Sequence, residues 1–174
     1  MRLSNAFVTV LLSAGLAGCS PALDWRDIRP DGSGAVAQFP CKPDRHARTV
    51  PIAGQALRME MLVCSADDLT FALSFVDVVQ PERVGPVLED LRALAVGNIG
   101  AQAPTVATAR VPGMTPHASA VDLTAAGRLP NGSAVQQRSL LFSRGLRIYQ
   151  ASVVGGRLPP EATDTFFSAL RLPG

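Results

Sequence analysis

The sequence predicts an α+β fold, an antiparallel sheet of about 6–8 strands with two main helices packed against it. Most periodic segments alternate apolar and polar residues, which is typical of strands with one buried face. Only residues 81–101 and 161–170 repeat their apolar residues at helical spacing. Two helices are too few to connect the strands of a parallel sheet, so an antiparallel arrangement is expected.

The strands of the first half follow one another through short turns. Residues 30–33 contain Pro, Asp and Gly and predict the first hairpin turn, and Ala53-Gly54 predicts the second. The clearest alternation centres on Phe71, with polar Thr70 and Ser74 on the opposite face. The expected strands of this half are residues 23–30, 34–40, 45–52, 55–65 and 69–75.

The period changes to that of an amphipathic helix at residues 81–101. Pro81 stands near its start and Gly97 near its end, as is common at helix boundaries. An edge strand is expected within residues 103–113, where prolines interrupt the pattern. The remaining expected elements are strands 117–125, 133–144 and 146–154, forming an antiparallel meander, and the helix 161–170.

The first 18 residues have the features of a secretory signal peptide. Arg2 gives a positively charged start, and residues 6–15 are apolar and uncharged. This stretch is shorter than the roughly 20 residues that a membrane-spanning helix requires. We therefore expect residues 1–18 to be removed, residues 19–23 to form a tether, and residues 24–174 to form a single periplasmic α+β domain.

The residues Leu16, Ala17, Gly18 and Cys19 resemble a bacterial lipobox, the motif that lipoprotein signal peptidase recognises. The resemblance implies cleavage after Gly18 and attachment of acyl chains to Cys19. Two or three acyl chains give the stable membrane anchoring that one chain does not. Ser20, rather than Asp, follows the cysteine, which favours the outer over the inner membrane of the bacterial envelope. The alternative is an ordinary signal peptide with an incidental cysteine near its cleavage site.

Cys41 and Cys64 remain once Cys19 is acylated. Two cysteines in an oxidising periplasm predict one disulfide. Two alternatives remain open, a pair of unpaired buried thiols and a soft Cu(I) or zinc site. The residues that would join the thiols in such a site are His46, His117, Met59, Met61 and Met114. The sequence has no CxxC or HxxxH motif, so the prediction is a disulfide and no metal site or other cofactor.

Several dispersed segments resemble the PsbP/DcrB-like fold group of small extracytoplasmic α+β domains, many of them bacterial lipoproteins. The segments that show this resemblance are residues 34–40 (GAVAQFP), the strand 71–75, the central helix, residues 145–149 (GLRIY) and residues 166–172 (FFSALRL). The resemblance implies an antiparallel sheet between helices, and a role as an accessory or binding protein on a membrane complex. A fold does not by itself transmit a function.

The composition and the motifs of the chain exclude several classes of function. Hydrophobic residues make up 47% of the chain, which argues against disorder, and a net charge of +2 argues against nucleic-acid binding. There is no GxSxG or SxxK motif, so no enzymatic activity is expected. The leading hypothesis is a non-catalytic, lipid-anchored periplasmic protein. It would contact an unknown envelope protein as an accessory, assembly or stability factor. The alternative is a small-ligand or lipid-binding module with a cavity between sheet and helix.

Arg138, Arg144 and Arg147 lie in the expected final hairpin. If they gather near its turn, they form a modest basic patch for anionic headgroups or an acidic partner. The favoured interpretation is that they are solubilising charges at the hairpin tip, and the basic patch is the alternative.

Overall fold

The structure, a computed structural model, describes residues 23–174. The predicted signal peptide and residues 16–19 of the lipobox lie outside the described residues. No helix in the described part of the chain is both long and apolar enough to cross a membrane.

The described chain forms an α+β fold around a seven-stranded antiparallel sheet, as the alternating pattern predicts. Its strand order is β3-β4-β5-β9-β8-β7-β6, and β1 and β2 form a separate two-stranded hairpin. The strands are β1 Arg26–Ile28, β2 Ala37–Phe39, β3 Asp44–Ile52, β4 Gln55–Ala66, β5 Leu69–Asp77, β6 Thr105–Thr108, β7 Val121–Arg128, β8 Ala134–Arg144 and β9 Arg147–Gly155.

The two predicted helices are present and cover opposite faces of the sheet. A 3-10 turn, Pro81–Arg83, leads into α1, Val84–Gly97, and α2 spans Pro160–Ser168. Neighbouring residues of one strand point to opposite faces. Accordingly Val76 packs with the buried side of α1, whereas Phe75 belongs to the core that includes Phe166 of α2.

Aromatic rings fill the core on the α2 side. Phe166 contacts Phe39 and Phe71, each with ring centroids 5.4 Å apart. Trp25 meets the edge of Phe71 at 5.7 Å. These edge-to-face pairs pack α2 and the β1–β2 hairpin onto the sheet. This face is therefore a filled core.

Two tight turns have the backbone conformation that two-residue hairpins need. Ala53 and Gly54 have φ angles of 48° and 72° between the paired residues Ile52 and Gln55. The turn at Asp67 and Asp68 likewise has positive φ at both residues. Such turns match the twist of antiparallel strands. The prediction that Ala53-Gly54 is a turn is confirmed.

The strand predicted at residues 117–125 begins later, at Val121, and continues to Arg128. Residues 109–120 instead form a connection that contains Pro112 and Pro116. Proline lacks the N–H group that a strand ladder requires, and within the connection Thr115 alone forms a bridge, to Ser143. The β6–β7 ladder is closed where Ala109 donates its N–H to the carbonyl of Ala120. The helix predicted over 81–101 also ends earlier, at Gly97.

Candidate functional site

The α1 side of the sheet is incompletely covered. A crevice of about 220 Å³ lies between α1 and the strands β3, β4, β5 and β9. We call it the α1 crevice. Its helix side is formed by Leu91, Leu94, Ala95 and Asn98. Leu94 is 42% exposed, so an apolar side chain of α1 stands at the opening.

The crevice is apolar at its sides and polar at its base. Half-buried Val50, Met59 and Met61 contribute the apolar surface. The base is formed by Ser74 on β5 and by Gln150 and Ser152 on β9. A few polar groups set in an apolar pocket are the usual composition of a small-molecule site.

A second opening, of about 440 Å³, runs over the same face of β3 and β4. We call it the β3–β4 groove. His46 and Arg48 on β3 face Met61 and Met59 on β4 as direct register partners. Directly opposed residues of an antiparallel pair lie on the same side of the sheet. Arg48, Met59 and Met61 line both the groove and the α1 crevice, so the two openings adjoin each other at these side chains, and we treat them together as one joined site.

Several polar groups of this joined site have unused hydrogen-bonding capacity. The Ser74 hydroxyl donates to the Gln150 carbonyl over 3.4 Å. The side chains of Gln150 and Ser152 make no hydrogen bond to any residue of the described segment, 23–174. Exposed Arg48 has no carboxylate partner within that segment. Three donors therefore face the joined opening.

The α1 helix is held against the β3–β4 turn on one side of the crevice. The carboxylate of Asp90 accepts a 2.7 Å hydrogen bond from the N–H of Ala53. The guanidinium of Arg83 donates to the carbonyl of the same residue. Both backbone polar groups of Ala53 are thus satisfied by side chains of the helical segment, which fixes the position of the crevice wall.

The predicted disulfide pair is brought together. Cys41 and Cys64 lie at bonding distance, with their Cα atoms 6.1 Å apart. The bridge ties the segment after β2 to β4 next to the aromatic core. This geometry is consistent with the predicted disulfide and favours it over a soft-metal site built on these cysteines.

The other residues of that alternative are divided between two regions. His46, Met59 and Met61 share the β3–β4 groove, whereas Met114 and His117 lie in the connection before β7. The sulfur of Met114 accepts the N–H of Val111, and Nδ1 of His117 accepts the N–H of Ser119. No cluster of three or more His, Cys, Asp or Glu suited to a metal ion occurs within residues 23–174.

The three arginines of the final hairpin do not form a basic patch. Arg138 lies six residues before the β8–β9 turn and donates to both carboxylate oxygens of Asp122, at 3.1 and 2.9 Å. It also bonds Asp164 at 3.1 Å. The hydrogen bond with Asp122 raises the pKa of Arg138 above its ordinary value. These contacts neutralise Arg138 and join β7, β8 and α2.

The other two arginines also have hydrogen-bond partners within the fold. Arg147 donates to both oxygens of Asp77 at 2.7 Å, and Arg144 donates to the Pro173 carbonyl. The hydrogen bond with Asp77 raises the pKa of Arg147. The alternative of a basic patch therefore loses Arg138 and Arg147, whose charges are paired within the fold, and Arg144 is directed at the C-terminal segment.

A larger open groove, of about 720 Å³, lies along residues 108–118. Its lining comes from that one connecting segment, whereas the joined crevice and groove are built from a helix and four strands. Rigid elements hold side chains more precisely than a loop does. We therefore take the joined α1 crevice and β3–β4 groove as the candidate functional site.

Sequence reasoning did not identify Arg48, Gln150 or Ser152. A signal was present on β9, where Gln150 and Ser152 alternate with buried Tyr149, Ala151 and Val153. A sheet face that a helix covers completely is normally apolar, so hydrophilic residues on a central strand indicate incomplete cover. Comparison with known proteins finds neither a family model nor a curated protein that matches this chain.

Proposed function

We propose that this protein is a non-catalytic, lipid-anchored domain of the bacterial envelope that acts by contact with another envelope component. The observation that carries the anchoring is the order of features along the chain. A short apolar stretch ends in Leu16-Ala17-Gly18-Cys19, and the part of the chain that the structure describes begins at Leu23. This order resembles that of bacterial lipoproteins, and Ser20 favours the outer membrane.

The short tether supports a position close to the lipid surface. Asp24 already donates its N–H to the Pro40 carbonyl, and half-buried Leu23 packs on the core. Leu23 is four positions after Cys19, and four extended steps of the chain span at most about 14 Å. A domain tethered in this way reaches partners in or near the membrane.

Five of the acidic side chains are engaged by partners within the fold, which supports a role without catalysis. Asp77 and Asp122 are held by arginines in two-point contacts, and Asp90 accepts the N–H of Ala53. Glu60 pairs with Arg45, and Glu89 accepts the hydroxyl of Ser119. Each of these carboxylates already has a structural partner, which is the reverse of a general acid or base left available for a substrate.

The anchoring is tested by replacing the acylated residue. The Cys19→Ala variant, exported behind a signal peptide that the ordinary signal peptidase removes, is expected in the soluble periplasmic fraction, whereas the unchanged protein sediments with membranes. Ser20→Ala is the matched control and keeps the membrane location. If the Cys19→Ala protein stays with the membranes after a high-salt wash, the lipid anchor is refuted.

The contact role is tested by cross-linking in intact cells and purification from solubilised membranes. The proposal expects the same envelope protein to be recovered in repeated experiments. It also expects its recovery to fall when the Cys19→Ala variant replaces the anchored form. Repeated recovery of no specific protein would contradict a role through protein contact.

A second candidate function is a small-ligand or lipid-binding module. The observation that favours it is the joined opening on the α1 side, with polar donors at its base and apolar side chains around it. Native mass spectrometry of the protein purified without detergent tests it. The candidate function expects a bound molecule that leaves on denaturation. A native mass equal to that of the protein chain alone would count against it.

A further inference from the structure

We propose that the joined α1 crevice and β3–β4 groove binds a single-chain amphiphile with a carboxylate headgroup, and that Arg48 is the headgroup's partner. The inference deepens the second candidate function and rests on it. It concerns the class of ligand, which the presence of a cavity alone does not specify.

The headgroup end is indicated by the donors. Arg48 lines both parts of the opening and has no acidic partner in the described segment. Gln150 and Ser152 add neutral donors at the base. A guanidinium matches the planar geometry of a carboxylate and binds it through two hydrogen bonds. The local charge therefore favours an anion over a neutral or cationic headgroup.

The apolar part of the ligand is indicated by the groove. Met59, Met61 and Val63 form a half-buried apolar row on β4. Methionine side chains are flexible and adapt to irregular apolar partners. An alkyl chain laid along this row would cover methionine and valine surface that now faces water.

The neighbouring charges are compatible with this orientation. The carboxylate nearest the crevice on α1, Asp90, is turned to the N–H of Ala53. Glu60 lies between Met59 and Met61 in sequence, so it points to the opposite face of β4, where it pairs with Arg45. His46 stands beside Arg48 on the same face of β3, two positions away. Asp44 shares this face of β3 but lies opposite Val63, four positions from Arg48 and at the other end of the groove. No carboxylate of residues 23–174 forms an ion pair with Arg48 at the headgroup position.

The chain offers a matched control for Arg48. Arg58 is an exposed arginine on β4, opposite Thr49 of β3. It is adjacent in sequence to Met59, so its side chain points to the opposite face of the sheet from Met59 and Arg48. Replacing either arginine by glutamine removes one positive charge from the same pair of strands. Only the Arg48 change removes it from the joined opening.

The test is isothermal titration calorimetry with dodecanoate below its micelle concentration. The chain from residue 19 carrying Cys19→Ala, exported behind the same cleavable signal peptide, is used because it allows purification without detergent, which would compete for the site. The proposal expects one dodecanoate per chain. It also expects Arg48→Gln to weaken binding by about tenfold or more, the usual effect of losing a charge-assisted hydrogen bond, and Arg58→Gln to leave binding unchanged.

Two further measurements address the apolar part and the fold. Met61→Glu is expected to abolish dodecanoate binding, because it places a negative charge in the groove, whereas Met61→Leu keeps it. Thermal unfolding of every variant shows whether a lost signal reflects a lost fold. The proposal is supported if Arg48→Gln and Met61→Glu lose dodecanoate binding while their thermal unfolding shows that they are still folded.

Dodecyltrimethylammonium, with the same chain and the opposite charge, separates the possible failures. If it binds as tightly as dodecanoate, or if Arg48→Gln and Arg58→Gln bind dodecanoate equally, the carboxylate inference is wrong and ligand binding as such survives. If neither amphiphile binds and no molecule copurifies, the ligand-binding candidate function fails as well.

Discussion

Asp90 of α1 accepts the backbone N–H of Ala53 over 2.7 Å, across 37 positions of sequence. Ala53 occupies the turn between β3 and β4, so this bond joins the helix to the tip of the hairpin that carries Arg48, Met59 and Met61. The width of the crevice between helix and hairpin depends on this contact. The candidate site is therefore positioned by a helix–turn interaction as well as by the sheet.

Replacing Asp90 by alanine is expected to destabilise the protein by about 1–3 kcal/mol, because the N–H of Ala53 loses its charged acceptor. The hydrogen-exchange rate of the Ala53 amide is expected to rise more than that of amides in β8. Asp44→Ala, an exposed carboxylate on β3 without a hydrogen-bond partner in the described residues, is the control. Equal exchange at Ala53 in both variants would contradict a role for Asp90 in holding the turn.

The Cys41–Cys64 bridge closes a loop with a sequence separation of 23. Chain-entropy arguments give such a loop about 3 kcal/mol of stabilisation. In the Cys19→Ala background, the Cys41→Ala/Cys64→Ala variant is expected to lose about that amount in urea unfolding. Thiol titration of the denatured, unreduced parent should find no free thiol. Detection of two free thiols, or equal stability of parent and double variant, would rule out a stabilising bridge.

Tyr149 is the chain's only tyrosine, and its hydroxyl donates to the Ser33 carbonyl over 2.6 Å. Burial raises the pKa of Tyr149 above its ordinary value. The folded state thus holds the phenolic proton more tightly than the unfolded state, where it leaves near pH 10. The contribution of this group to stability is complete below about pH 10 and is lost as pH rises through the folded-state pKa.

Tyr149→Phe is expected to cost about 1 kcal/mol below pH 10 and to make the free energy of unfolding less dependent on pH above it. Tyrosinate absorbance of the parent protein follows this single group directly. Ionisation of the folded protein at or below the pH at which the urea-unfolded protein ionises would show that burial does not raise the pKa.

Gly127 on β7 lies against the loop that follows α1. A Cβ atom at this position would be 1.9 Å from the carbonyl oxygen of Ile99, which accepts the N–H of Arg128. Gly127→Ala is therefore expected to destabilise the protein by about 1–3 kcal/mol through forced displacement of backbone. Gly97→Ala at the end of α1 meets no atom within 4 Å and should be neutral or slightly stabilising. Equal melting temperatures for the two variants would refute this close approach.

Local patterns account for most of the fold but only part of the site. The alternation around Phe71 and the helical spacing of Val84, Val87 and Leu88 are direct consequences of which side chains face the core, so the strands and α1 were predictable. The pairing of Cys41 with Cys64 followed from the cysteine count. The partners of Arg138 and Arg147 could not be predicted, because they come from strands and helices distant in sequence.

The extent to which α1 covers the sheet was also beyond local reasoning. It depends on where the helix crosses the strands, and contacts such as that of Asp90 with Ala53 set that position.

The start of β7 was misjudged for a different reason. Residues 117–120 continue the apolar–polar pattern but follow Pro116, and a connection rather than a strand occupies them.

The claim that this protein is a lipid-anchored envelope domain is tested most directly by the mass of the intact protein extracted from membranes, with fragmentation of its N-terminal peptide. The account predicts a chain that begins at Cys19 and carries a diacylglyceryl group on the sulfur. A chain that retains residues 1–18, or one that is cleaved elsewhere and carries no lipid on Cys19, would contradict it.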